Sequence, residues 1–166
     1  MNAVEIAIKM ETDAIMFYRD AATTVKNTIG QKMFLSIAED EKRHLDMLKE
    51  ILEGLDIHIG DVSPMTRIKT IFEEHRDEML QRTKATDDEL DAFKMAMRME
   101  QEGIEFYKKR ASEAPSEKEK ALFERLSKEE QQHYAVFSNT YFFMQDSGDW
   151  FMWEEHSIVD GGTPWA

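Results

Sequence analysis

The sequence predicts an all-α protein: a four-helix bundle made of two helical hairpins, joined by a long crossover that contains a short helix and followed by an irregular C-terminal tail. Three observations predict it. Four segments carry apolar residues at alternating steps of three and four, the pattern of helices with one buried face. Cap and turn residues punctuate those segments, and only three prolines and seven glycines interrupt the 166 residues. The two halves also repeat one another. KMETDAIMFYRDAA (9–22) aligns with RMEQEGIEFYKKRA (98–111), and Phe34, Glu41 and His44 recur as Phe123, Glu130 and His133, always 89 positions later.

In order, the first helix covers about 2–26, with Val4, Ile8, Glu11, Ile15, Tyr18 and Ala22 along one seam. Lys26-Asn27-Thr28-Ile29-Gly30 supplies turn and cap chemistry. The second helix then runs to about Glu53 with Phe34, Ile37, Glu41, His44, Leu48 and Ile51 inward, and Gly54 stops it. Residues 55–64 read as a loop and Met65–Thr83 as the short crossover helix. Thr86 and Glu89 form a capping box that opens the third helix, whose seam is Phe93, Met97, Glu100, Ile104, Tyr107 and Ala111. Ala114-Pro115 closes it, and Ser116 with Glu119 makes the box for the fourth helix, which aligns Phe123, Leu126, Glu130, His133, Phe137, Thr140 and Met144. After Gln145 the pattern stops. The expected organisation is a bundle over 1–145 and a tail over 146–166. With Trp150, Phe151, Trp153 and Trp165, that tail suits docking on the bundle or on another subunit, so a homodimer or larger homo-oligomer is expected.

Composition narrows the partners. A net charge of −13 disfavours nucleic acid and anionic membranes and attracts cations. The absence of cysteine excludes disulfides, thiol catalysis and any iron–sulfur centre held by this chain. The N-terminus does not read as a signal peptide and no apolar run is long enough to span a bilayer, so cytoplasm is the expected compartment.

The chemistry lies in two Glu-x-x-His elements, Glu41–His44 and Glu130–His133, each with a lone glutamate 30 positions upstream, Glu11 and Glu100. All four glutamates fall on apolar seams. From Glu11 the chain climbs about 15 residues at 1.5 Å each, turns and descends a similar number to Glu41, so the two lie at one depth; the same holds for Glu100 and Glu130. In each Glu-x-x-His the side chains share a helix face, which puts His44 and His133 in the same layer. Four carboxylates in an apolar core must be protonated, paired or bound to cations, since each bare charge costs several kcal/mol. The seams supply no Lys or Arg, whereas two divalent ions balance four carboxylates. Carboxylate and imidazole donors suit iron or manganese better than a thiolate-seeking metal. Tyr18 and Tyr107, two turns beyond Glu11 and Glu100, are placed to hydrogen-bond ligand carboxylates.

These motifs resemble the ferritin-like di-iron carboxylate pattern, in which two helices give one Glu each and two give Glu-x-x-His. Within it the chain is most similar to the rubrerythrin group, through MET…FY, EKRH, MEQEGIEFY and EEQQH, over residues 1 to about 145. The resemblance implies two iron ions, with manganese or zinc as alternatives, held by Glu11, Glu41, His44, Glu100, Glu130 and His133. It also implies redox chemistry of reduced iron with peroxide or oxygen. Rubrerythrins usually add a four-cysteine rubredoxin domain; with no cysteine here, the electron donor is expected to be a separate protein. Where rubrerythrins carry a further glutamate, this chain has Gly103, which brings the site closer to a symmetric six-ligand minimum. The leading expectation is peroxide scavenging or ferroxidase-type oxidation of iron(II). The competing readings are iron binding, storage or delivery without turnover, and a purely structural bundle.

Overall fold

Each of the four long periodic segments forms a helix in the computed structural model, which describes residues 2–55, 71, 74 and 86–145. They are α1 (Ala3–Thr24), α2 (Thr28–Leu52), α3 (Asp87–Glu113) and α4 (Glu117–Gln145), and no strand occurs among the described residues. The expected crossover helix over 65–83 lies outside the described residues except for Ile71 and Glu74, both helical; the tail over 146–166 lies outside them altogether.

Local chemistry sets the helix limits. Asn2 and Glu5 exchange hydrogen bonds of 2.8 and 2.9 Å in a capping box at the start of α1. The Asn27 side chain accepts from the Ile29 and Gly30 amides at 3.0 Å, satisfying donors that the first turn of α2 leaves free. At the other end Gly54 adopts φ 75°, its amide donating to the Ile51 carbonyl at 3.0 Å and that of Leu55 to Glu50 at 2.9 Å. This paired-bond ending needs a left-handed residue, which glycine supplies without steric cost. Ser116 Oγ accepts from the Glu119 amide at 3.2 Å to open α4.

The Thr86–Glu89 box at the head of α3 does more than cap. Glu89 is buried, and its Oε1 also accepts from the amides of Lys26 at 2.6 Å and Asn27 at 3.1 Å. One carboxylate thus fastens the α1–α2 turn to the beginning of the second hairpin. Burial pushes its pKa up, but the Thr86, Lys26 and Asn27 amides outweigh that and hold it below the usual range.

Helix α1 packs chiefly on α2 and α3 on α4, while α1 meets α3 and α2 meets α4 between the hairpins. The apolar core falls into two clusters. The first gathers Tyr18, Phe34, Phe93 and Phe137, with ring centroids 4.9 Å apart for Phe34–Phe93 and 5.2 Å for Tyr18–Phe137. The second holds Tyr107 stacked on Phe123 at 5.9 Å, with Val4, Leu48, Leu122 and Leu126. The N-terminal half of α1 and the C-terminal half of α3 share one cluster, so the repeat's pseudo-two-fold axis runs across the bundle and exchanges its ends. The exchange is imperfect, because the repeat equivalents of Phe93 and Phe137 are Val4 and Leu48. Each buried large side chain contributes roughly 1.5–3 kcal/mol, which offsets the cost of the polar layer between the clusters.

Candidate metal centre

That layer contains all six residues singled out by the repeat. Glu11 comes from α1, Glu41 and His44 from α2, Glu100 from α3, and Glu130 and His133 from α4; none is more than 4% exposed. One donor atom from each of Glu11, Glu41, His44 and Glu130 lies within 4.8 Å of the others, and Glu41, Glu100, Glu130 and His133 form a second such group. Glu41 and Glu130 belong to both. His44 Nδ1 is 2.8 Å from Glu41, 3.1 Å from Glu130 and 3.8 Å from Glu11. His133 Nδ1 mirrors it, 3.1 Å from Glu41, 3.5 Å from Glu100 and 3.8 Å from Glu130. The two imidazoles lie nearly parallel, 5.6 Å apart.

These atoms converge without satisfying one another. Both oxygens of Glu41, one each of Glu100 and Glu130, and Nδ1 of both histidines lack a hydrogen-bond partner despite their closeness. Buried polar atoms are rarely left in that state, and orphaned lone pairs aimed at common points fit cation coordination. The residues present therefore fit a pair of metal ions.

Their electrostatics describe the metal-free centre. Burial, followed by the neighbouring Glu41 charge, drives the Glu11 pKa well above its ordinary value; burial and Glu130 do the same to Glu100. Burial also pushes Glu130 up, but the proximity of Glu100, His133 and His44 leaves it well below the usual carboxylate range. Glu41 likewise ends lowered, burial and Glu130 being outweighed by the two imidazoles. Burial disfavours charge on His44 and His133, yet the facing carboxylates, Glu41 first, raise both well above 6.5.

Tyr18 and Tyr107 lie where the sequence reading put them, beside the carboxylates, but crosswise. Tyr18 of the first hairpin donates to Glu100 Oε1 of the second at 2.5 Å, and Tyr107 donates to Glu11 of the first. Burial and the adjacent carboxylates push both phenols well above 10, which keeps them as donors.

A further layer escaped sequence reasoning. Asp40 and Glu129 are buried at 0% and 2% exposure. Glu129 lies 2.8 Å from His44 Nε2, across the bundle, and Asp40 lies 3.3 Å from His133 Nε2. Arg43 bridges the pair at 2.9 Å to Glu129 and 3.1 Å to Asp40, and Arg125 reaches Glu129 at 2.6 Å. Burial pushes the Glu129 carboxyl up, but His44 and the arginines hold it far below the ordinary range. The signal was present in the repeat: each acid immediately precedes a Glu-x-x-His, so the unit is acid-Glu-x-x-His, written twice at the same offset. A carboxylate on the outer nitrogen fixes which nitrogen of the ring points inward.

A cavity of about 220 Å³ reaches the layer between α1 and α3 and is lined by Glu11, Glu41, Glu100 and Glu130 with both tyrosines. Gly103 borders it. A Cβ there would lie 3.4 Å from Glu130 Cγ and 3.5 Å from Oε2, so an alanine would just touch that carboxylate.

Among protein families, the rubrerythrin model matches residues 2–141. No curated protein and no solved structure is matched.

Proposed function

The chain belongs to the rubrerythrin family, and from that premise we propose that it is a di-iron carboxylate redox protein that reacts iron(II) with hydrogen peroxide or oxygen. The observation that carries this reading is the pair of four-donor groups sharing Glu41 and Glu130. On this reading Glu41 and Glu130, common to both groups, would serve both ions, while Glu11 with His44 and Glu100 with His133 would each complete one group. A bound pair of iron(II) ions supplies two electrons, which with two protons reduce one hydrogen peroxide to two waters.

The chain's own groups prepare that chemistry. Four ionised carboxylates neutralise two divalent ions, leaving the imidazoles uncharged. The His44 Nε2–H then donates to Glu129, and Asp40 stands 3.3 Å from His133 Nε2, so a carboxylate beside each outer nitrogen favours Nδ1 toward the interior. Tyr18 and Tyr107 each pin one oxygen of Glu100 and Glu11. The apolar clusters on either side keep bulk water from the layer, and the cavity has room for a few molecules of water size at roughly 30 Å³ each. That suits a small oxidant rather than an organic substrate. Electrons return from a separate donor protein, and the working unit is a homodimer or larger homo-oligomer.

Stopped-flow absorption of the iron(II)-loaded protein tests the reading. Mixing with peroxide or oxygen is expected to oxidise both irons of each chain in one rapid phase. No oxidation by either would overturn it, and accumulation of many irons per chain would favour storage. Glu129→Gln is expected to keep the helical fold and weaken metal affinity by about 10–100-fold, measured by competition with a chromophoric chelator. Unchanged affinity would show that Glu129 serves only the surface ion pairs.

A further inference from the structure

The cavity over the carboxylate layer is bounded by the internal repeat itself. Its twelve lining residues are six pairs, each pair 89 positions apart, so the opening sits on the pseudo-two-fold axis. Three of those pairs are the glutamates and tyrosines already described. The other three build the way in. Ala14 and Gly103 are the small residues flanking it, Met10 and Met99 are its half-buried neck, and Asp13 and Glu102 are exposed at its rim. Among the described residues no lysine or arginine lines it, and the cations adjacent in sequence, Lys9 and Arg98, are exposed, Lys9 being bound to Asp13 at 2.8 Å. At its floor lie the orphaned buried oxygens of Glu41, Glu100 and Glu130.

We propose that this opening between α1 and α3 is the port through which divalent cations reach the buried layer, with Asp13 and Glu102 as its electrostatic mouth. The inference rests on the metal-binding reading above and adds two residues outside the six donors. Its physical basis is focusing. Two carboxylates at the rim of a low-dielectric passage concentrate cations there beyond what the overall charge of −13 does. Small side chains at Ala14 and Gly103 leave the backbones of α1 and α3 room for an ion to pass. Between α2 and α4, by contrast, the layer is flanked by the Arg43–Asp40–Glu129–Arg125 ion-pair network, whose arginines repel a cation.

The test is the rate at which metal-free protein takes up cobalt(II), followed by stopped-flow absorption, with the final number of ions per chain read separately at equilibrium. The double variant Asp13→Lys/Glu102→Lys is expected to load about tenfold more slowly at low salt and to approach the wild-type rate at about 1 M salt. Its final stoichiometry should be unchanged. Asp46→Lys, an exposed acid on α2 outside the cavity, is expected to load at the wild-type rate. Equal rates for the double variant and wild type would overturn the port, as would equal slowing by Asp46→Lys. A lowered final stoichiometry in the double variant would also overturn it, by making the two acids ligands or structural. If wild-type protein takes up no cobalt, the metal-binding reading itself fails.

Discussion

Replacing Glu41 or Glu130 by Ala is expected to reduce iron from two per chain to nearly none, whereas replacing Glu11 or His44 is expected to leave about one. The difference follows from membership. Glu41 and Glu130 each offer oxygens to both four-donor groups, while Glu11 and His44 serve one group and Glu100 and His133 the other. Loss of a shared carboxylate takes a donor and a negative charge from both positions at once. Loss of Glu11 leaves the Glu41, Glu100, Glu130 and His133 group whole. Metal analysis after anaerobic iron(II) loading reads the outcome, and far-ultraviolet circular dichroism confirms that each variant stays helical. Two irons per chain in Glu41→Ala would contradict the bridging assignment. A total loss in Glu11→Ala would show that the two positions fill only together.

The second large effect is in protons. Glu11, Glu100, His44 and His133 all have pKa values raised without metal, which favours their protonated forms, and an incoming cation competes with those protons. Loading metal is therefore expected to release protons, up to about four per chain from these groups, and the affinity to rise with pH. A titration in weak buffer with a pH indicator counts them. Release near zero would mean that the carboxylates are already ionised and the rings neutral.

The same shifts fix the pH dependence of stability. Groups whose folded pKa is raised stabilise the metal-free fold fully below their unfolded values, near 4.5 for Glu11 and Glu100 and 6.5 for the histidines; that contribution is lost as pH climbs through the folded values. Glu41, Glu130 and Glu129, whose values are lowered, act oppositely, and their contribution is lost as pH falls below 4.5. Metal-free protein should thus melt highest in mild acid and lower as pH rises through the raised values of these groups, while metal-loaded protein gains with pH over the same range because affinity does. Parallel melting curves for the two forms would refute the proton assignment.

Much of this architecture was legible in the sequence because helices advertise their buried faces. The seams named for α1 to α4 are the buried ones, with small exceptions such as Ile8, Ile51 and Met97, which are half-buried at the margins. The common buried layer of those six residues was legible because charge on an apolar seam has few physical explanations, and the register of the repeat left one depth for them. What escaped was contact between hairpins. Seam reading places Tyr18 near Glu11 on its own helix, but only the assembled bundle shows its hydroxyl turned to Glu100. Asp40 and Glu129 sit one position off the seam, where a helical wheel predicts a boundary acid, and the approach of α2 to α4 buries both. Glu89 reads as an ordinary cap until the α1–α2 turn is brought against it. In each case the missing information was the pairing of two elements distant in sequence.

The three-plus-one composition of the donor groups has a consequence for how such a centre could arise. Glu11, Glu41 and His44 come from one hairpin, with only Glu130 borrowed from the other; the second group reverses the loan with Glu41. A single hairpin is thus a three-donor chelator, suited to one ion. Duplicating it along one chain does not make two such chelators side by side. The antiparallel docking of the copies makes each one's inner glutamate common property, so the sharing between the two donor groups is a quaternary-type relationship written into a single polypeptide.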